Sequence, residues 1–144
     1  MAATPLFIYG TLLAVARHPM GDALRAGGHR IGSGSIQARL YVIDDPDAPG
    51  ENFYPGAVPS ADPRDRVFGE VWDITAPDLW ARFDAFEACS ADWPEPHEFM
   101  LRTIDVALND GQVLQARSYL YTWDVTTARH IPDGRFTEAS PDVR

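Results

Sequence analysis

The alternation of apolar and polar residues predicts a chain built mainly from β-strands. Leu6–Tyr9 is a short apolar run that ends at a glycine, and Val67–Ile74 places successive side chains on opposite sides, as expected of strands. Arg30–Ile43 favours a longer, bulged strand, because its glycines suit a bend better than a helix. Leu101–Leu108 and Val113–Tyr121 flank an Asn-Asp-Gly sequence that accepts the positive φ of a tight turn. These two segments predict a hairpin.

One main helix is indicated from Thr75 to about Cys89. Thr75 can cap it, Pro77 stands in the first turn, where a missing N–H costs nothing, and Asp78 takes the third position of a capping box. Residues 19–24 predict at most a second, short helix, because Pro19 interrupts the segment 12–24. Many strands and one main helix predict an α+β domain with a curved or closed sheet whose interior can hold a small ligand.

Length and charge narrow the possible functions. The 144 residues have the size of one domain, and we expect a single domain over 1–144, with a core over about 5–123 and a polar tail over about 130–144. The net charge of −9, with scattered basic residues, disfavours nucleic acid as a partner. The single cysteine and the absence of a long apolar run or signal peptide predict a cytoplasmic protein that does not associate with membranes.

A carboxylate falls on the apolar face of the predicted helix. At about 100° per residue, that face is formed by Leu79, Trp80, Phe83 and Phe86. Glu87 lies between Phe83 and Trp80 on this wheel. Burial would raise the pKa of its carboxyl group toward neutrality, which suits a general acid and base. The pattern leaves open that Glu87 ends the helix and turns to solvent, or that it pairs with an arginine.

The turn that follows the first strand, Tyr9-Gly10-Thr11-Leu12, is a candidate anion site. Gly10 lets successive backbone N–H groups converge on a carboxylate, although an ordinary strand-to-loop turn has the same residues. The four histidines lack metal-ligand spacing, and the Gly-Ser-Gly-Ser segment at 32–35 lacks the residues of a phosphate or dinucleotide loop. We therefore expect neither a metal nor another cofactor.

Five segments occur in a specific order along the chain. They are Phe7-Ile8-Tyr9-Gly10-Thr11-Leu12, Tyr54-Pro55-Gly56-Ala57-Val58-Pro59, Val67-Phe68-Gly69-Glu70-Val71-Trp72-Asp73-Ile74, Phe83-Asp84-Ala85-Phe86-Glu87 and Ala116-Arg117-Ser118-Tyr119-Leu120-Tyr121. In this order they resemble F-x-Y-G-T-L, Y-P-G-x-x-P, V-x-G-E-V-Y/W-x-I, L-D-x-F/Y-E and A-x-x-Y-x-Y of the gamma-glutamyl cyclotransferase-like family, in its avirulence-induced-gene-like or gamma-glutamylamine cyclotransferase branch. The resemblance covers about residues 7–121 and implies the family's α+β fold, a small mixed, partly closed β-barrel with one main helix.

The resemblance implies an enzyme that cyclises a gamma-glutamyl amide to 5-oxoproline and releases an amine or amino acid. It gives Glu87 the role of general acid and base, and it implies that Tyr9-Gly10-Thr11-Leu12 binds the carboxylate and amine of the glutamyl group. Tyr119 matches a tyrosine that lines the same cavity, although a core aromatic suits its strand position equally. The expected partner is a small gamma-glutamyl substrate, and the family's reaction uses no cofactor.

Two further functions fit the same residues. One is a non-catalytic module that binds a small carboxylate on the same fold, and the other is an interaction protein that uses its acidic surface. Two departures from the family pattern differ in weight. Ala88 follows Glu87 where the family usually has glycine, which is a mild change, whereas residues 99–102 stand in place of a Y-R-R segment and leave the substrate open. Glu70 takes either a structural or a direct role, and the oligomeric state is not indicated.

Overall fold

A computed structural model describes residues 4–9, 19–44, 49–50, 53–86 and 98–135. Its elements in chain order are β1 (Thr4–Ile8), α1 (Pro19–Gly27), β2 (Gly28–Asp44), β3 (Phe53–Pro59), β4 (Arg66–Ile74), α2 (Asp78–Phe86), β5 (Phe99–Leu108), β6 (Val113–Tyr121) and β7 (Arg129–Ile131). Strands dominate and two nine-residue helices accompany them. The predicted α+β class is confirmed, and α1 is longer than the sequence pattern indicated.

Five strands close into a barrel. Their order is β2-β4-β1-β6-β5, and β5 pairs again with β2. β1 and β6 run parallel, whereas the other neighbours are antiparallel, so the predicted mixed barrel is confirmed. A β-carbon on Gly34 would lie 2.6 Å from the carbonyl oxygen of Ala107. The absence of a side chain at Gly34 therefore allows β2 and β5 to meet at the seam.

β2 belongs to two layers because it is much longer than its neighbours. Its first half pairs with β4, with the expected bulge between Arg30 and Gly32. Its second half leaves the barrel and pairs with β3 on one side and β7 on the other. β7 lies inside the segment predicted as a polar tail, and the backbone N–H of Phe68 donates to the carbonyl of Gly134 at 2.9 Å. The paired structure thus continues to residue 134.

The hairpin of β5 and β6 turns where the sequence indicated. Gly111 has a φ of 93°, in the left-handed region that glycine tolerates best. The N–H of Gly111 donates to the Leu108 carbonyl at 3.0 Å, and the N–H of Leu108 donates to the Gln112 carbonyl at 2.8 Å. The predicted hairpin is confirmed.

α2 begins three residues later than expected, so the predicted capping role of Thr75 is wrong. The backbone N–H and the hydroxyl of Thr75 both donate to the carbonyl of Gly27, at 2.9 and 3.1 Å. The first turn is closed instead by the N–H of Leu79, which donates to Ala76 at 3.1 Å. Thr75 therefore links the end of α1 to the segment that precedes α2. The expected helix end near Cys89 lies outside the described residues.

Apolar side chains form two separate clusters. The barrel core contains Phe7, Ile36, Val67, Val71, Val106, Ala116 and Leu120. The helix-side layer contains Leu6, Ile8, Leu24, Ile74, Leu79, Phe99, Tyr119 and Tyr121. Alternation along each strand sends neighbouring residues into different clusters, so the tyrosines of β6 face the helices. No helix within the described ranges is long and apolar enough to cross a membrane.

Candidate functional site

Tyr9 joins three strands at the point where the chain leaves β1. Its hydroxyl donates to the carbonyl oxygen of Tyr119 on β6 and accepts from the backbone N–H of Ala57 on β3 at 3.2 Å. Two of the predicted site residues, Tyr9 and Tyr119, are therefore brought into direct contact. The hydroxyl group of Tyr9 is therefore held in place at the residue where the predicted turn begins.

Tyr119 is held by its backbone as well as by its neighbours. It pairs with Leu101 in the β5–β6 ladder, and only 6% of its surface is exposed. The next residue back, Ser118, points the other way and donates its hydroxyl to the Phe7 carbonyl at 3.0 Å. The Tyr119 ring consequently lies in the helix-side layer rather than inside the barrel.

Gly69 permits the close approach of β1 and β4 beside this contact. A β-carbon at Gly69 would overlap the carbonyl oxygen of Ile8 and would lie 2.9 Å from the end of the Phe7 ring. Any larger residue must displace the end of β1. The glycine of the Val67–Ile74 motif therefore helps to set the position of Tyr9.

The carboxylate of Glu70 accepts hydrogen bonds from two neighbouring side chains. Arg30 Nε donates to its carboxylate at 2.9 Å, and Trp72 Nε1 donates to the other oxygen at 3.2 Å. Both oxygens are engaged by side chains from the strand pair that forms this part of the barrel. Of the two roles that the sequence left open for Glu70, the geometry supports the structural one.

A carboxylate and three aromatic rings meet near the open end of β6, and the sequence analysis did not identify this group. The hydroxyl of Tyr54 donates to Glu98, and the ring of Phe99 lies 6.0 Å from Tyr54 and 5.3 Å from Tyr121. Burial, followed by the negative charges of Glu98 and Asp124, raises the pKa of Tyr121 to about 12. Tyr54 opens the Y-P-G motif, but nothing in the sequence links it to Glu98, which directly precedes β5.

α2 passes over β6 on its way to the predicted catalytic residue. The guanidinium of Arg117 lies 5.7 Å from the centre of the Trp80 ring, and Arg117 pairs with Leu6 in the parallel contact of β6 with β1. The helix then continues to Phe86. The next residue, Glu87, lies outside the described residues.

The rest of the anion-binding turn is also outside the described residues. Gly10, Thr11 and Leu12 follow Tyr9 directly in the sequence. The structure thus describes Tyr9 and Phe86, which directly precede the rest of the turn and Glu87. It also brings Tyr9 and Tyr119 together. In the part of the chain that the structure describes, no three His, Cys, Asp or Glu side chains are grouped as metal ligands.

The chain was compared with known proteins. A family model described as gamma-glutamyl cyclotransferase, AIG2-like, matches residues 6–138. An AIG2-like protein from Mus musculus has a TM-score of 0.62 at 18% identity, over 96% of this chain and 97% of that protein. A structure named gamma-glutamyl cyclotransferase has a TM-score of 0.60 at 17% identity, over 83% and 67% of the two chains.

An uncharacterized protein from Pyrococcus horikoshii has a TM-score of 0.60 at 18% identity, over 97% of this chain and 95% of that protein. At these identities the likeness concerns the fold. The search of curated proteins gave no match.

Proposed function

The chain belongs to the gamma-glutamyl cyclotransferase, AIG2-like family, and we propose that it cleaves gamma-glutamyl amides by cyclisation, releasing 5-oxoproline and a free amine. The observation that carries this proposal is the contact of Tyr9 with Tyr119 and Ala57. It holds Tyr9, the first residue of the turn that the family's motif makes substrate-binding, against two strands that carry two of the family's other motifs. We assign the action on the bound substrate to Glu87, because it takes the position of the catalytic glutamate in the family's motif.

The proposed reaction needs only proton movements and one exchange of bonds. The α-amine of the substrate attacks its own γ-carbonyl carbon, which forms the C–N bond of the lactam. The original amide C–N bond breaks, and the leaving nitrogen departs as an amine. Glu87 takes a proton from the attacking ammonium group and returns it to the leaving nitrogen. The attacking nitrogen loses a second proton as it becomes the lactam N–H, and the released amine takes up one proton and leaves as an ammonium ion, so atoms and charges balance.

Positioning supplies much of the acceleration in this mechanism. The attacking and leaving groups belong to one molecule, so an enzyme that holds the folded conformer removes most of the orientational cost of ring closure. Backbone N–H groups of Gly10–Leu12 would hold the α-carboxylate in that pose. General acid and base catalysis by Glu87 would contribute a further factor of about 10²–10⁴.

Tyr9 acts as a positioning residue in this scheme. Its hydroxyl already donates to Tyr119 and accepts from Ala57, so it has a fixed orientation before substrate binds. A group committed in both directions is poorly suited to deliver a proton to substrate. Its contribution is to hold the turn against β3 and β6.

The test is 5-oxoproline release from a panel of gamma-glutamyl amines and gamma-glutamyl amino acids, with wild type compared with Glu87→Gln. We expect turnover of at least one compound by wild type and a loss of about 10²–10⁴-fold in the variant. Glu70→Gln is the matched control, because its carboxylate is engaged by Arg30 and Trp72, and it should retain turnover. Binding of the panel without turnover would instead identify a non-catalytic binding module.

A further inference from the structure

A cleft of about 360 Å³ opens beside β6, away from the Tyr9–Tyr119 contact. Its walls come from the ends of β2 and β6, the start of β3 and the segment before β7, and neither Tyr9 nor Tyr119 lines it. A volume of this size is sufficient for a small organic ligand. We propose that this cleft binds an organic ammonium ion that carries a short apolar chain.

The strongest indication is the hydroxyl of Tyr121. Tyr121 lines the cleft, although only 7% of its surface is exposed. Within the described residues its ring contacts Phe99, but its hydroxyl has no hydrogen-bond partner. A phenol hydroxyl can donate one hydrogen bond and accept others, so this group is available to a ligand that enters the cleft.

The charges on the walls select a cation. Asp44 and Asp124 contribute two carboxylates, whereas Arg129 contributes one guanidinium. Among the described residues that line the cleft, negative charge therefore prevails, as it does in the whole chain, whose net charge is −9. An anionic ligand would be repelled, and an ammonium ion can donate to the carboxylates and to the phenol oxygen.

The two aspartates are already oriented by their own loops. Asp124 Oδ1 accepts from the backbone N–H of Thr126 at 2.9 Å, and Asp44 Oδ1 accepts from the N–H of Gly50 at 2.8 Å. The Asp124 carboxyl has a lowered pKa, chiefly because of its hydrogen bonds with Thr126. It is therefore ionised at neutral pH.

Apolar side chains also line the cleft, so the ligand needs an apolar part as well as a positive charge. Ile43 is buried and Phe53 is partly buried, and both line the cleft on the side of β2 and β3. An alkyl chain of a few carbons can cover this surface while its ammonium group faces the aspartates. A bare metal ion or a strongly hydrated polyol would leave it uncovered.

The phenol of Tyr121 is neutral at pH 7. Its pKa of about 12 reflects burial and the carboxylates of Glu98 and Asp124. Its oxygen can accept from an ammonium group throughout the neutral range, and the same carboxylates attract the cation. The phenol and the wall charges therefore favour the same ligand.

The first experiment titrates the full-length protein with n-butylammonium and, separately, with butanoate at matched ionic strength, followed by ¹H–¹⁵N NMR. We expect saturable shifts of the amides that line the cleft with the cation and none with the anion. Equal effects of both ions, or shifts that map to another surface, would overturn the proposal.

Variants identify the groups that bind. Asp44→Asn combined with Asp124→Asn should weaken butylammonium binding by about tenfold, through the loss of charge-assisted hydrogen bonds. Asp110→Asn is the matched control, because Asp110 also accepts from the backbone N–H two residues further on, at 2.9 Å, but does not line the cleft. Unchanged affinity in the double variant would contradict the proposal.

Tyr121→Phe separates ligand binding from folding. The change removes a hydroxyl without a partner in the described part of the chain, so the melting temperature should not fall, while affinity for butylammonium should fall about five- to tenfold. Wild-type affinity in Tyr121→Phe would count against the site. Glu87→Gln should bind butylammonium as wild type does, so this site and the proposed reaction can fail independently.

Discussion

The hydroxyl of Tyr9 and the carbonyl oxygen of Tyr119 form a hydrogen bond that links the end of β1 to the parallel strand β6. The same hydroxyl accepts from Ala57, so removing one oxygen atom leaves two partly buried backbone groups without this partner. The predicted substrate-binding turn starts at this tyrosine. Under the proposed function, stability and activity are thus coupled at one side chain.

Tyr9→Phe should lower the free energy of unfolding by about 1–3 kcal/mol, because the N–H of Ala57 and the carbonyl of Tyr119 lose this partner. It should also lower kcat for any gamma-glutamyl substrate more than it changes KM. Urea unfolding and steady-state kinetics measure the two effects. Tyr41→Phe is the control, since the Tyr41 ring contacts His130 and Arg39 while its hydroxyl makes no hydrogen bond among the described residues. An equal loss of stability there would contradict the role given to Tyr9.

Gly69→Ala should destabilise the protein by about 1–3 kcal/mol or more, because the added methyl group must displace the end of β1. The overlap involves the Ile8 backbone, which cannot rotate away as a side chain can. Thermal unfolding measures the effect. Gly32→Ala is the comparison: its β-carbon would have nothing within 4 Å, so its melting temperature should stay close to that of wild type.

His130 should make stability fall as the pH falls. Burial, followed by the positive charge of Arg39, lowers the pKa of His130 below its ordinary value of 6.5, and Asp65 opposes this shift. The unfolded chain therefore binds the proton more readily than the folded one, so the His130 contribution is present above about pH 6.5 and is lost as the pH falls through the folded pKa.

His130→Gln should flatten the dependence of the free energy of unfolding on pH between about 7 and 5. Denaturant unfolding across this range gives the slope for each protein. His29→Gln, at an exposed position, is the matched control and should keep the wild-type slope. If both variants behave as wild type, the ring of His130 does not contribute to this dependence.

Glu98→Gln should lower the pKa of Tyr121 from its value of about 12, because the Glu98 carboxylate is one of the charges that raise it. The shift should be downward but partial, since burial is the larger cause. A titration followed by ¹³C NMR of labelled tyrosine rings resolves the five tyrosines. Glu70→Gln should leave the titration of Tyr121 unchanged, and an upward shift in Glu98→Gln would contradict this account.

The sequence pattern predicted those elements whose structure depends on residues within a single short segment. Val67 and Val71, four residues apart in β4, are both fully buried, as the strand period requires. The β5–β6 hairpin follows from the left-handed conformation at Gly111. The family's motifs then supplied the barrel, because their order is specific even though each one is short.

Contacts between distant residues were not predictable in the same way. Thr75 has a good capping sequence, yet it binds Gly27, a partner that exists only once α1 has packed against the sheet. β7 consists of three residues with no strand pattern of their own, and pairing with β2 alone defines it. Tyr54 in β3 and Glu98, just before β5, form a hydrogen bond, although no sequence motif connects them.

The position of β2 has a consequence for how the chain folds. Gly34 at its centre pairs with Leu108, and Leu6 in β1 pairs with Arg117, so both closures of the barrel join residues from opposite halves of the chain. Such contacts carry a high entropic cost of loop closure and slow folding. On the ribosome, the barrel cannot close before β6 has left the exit tunnel. Until then, the apolar residues of β1 lack the neighbouring strand that β6 provides.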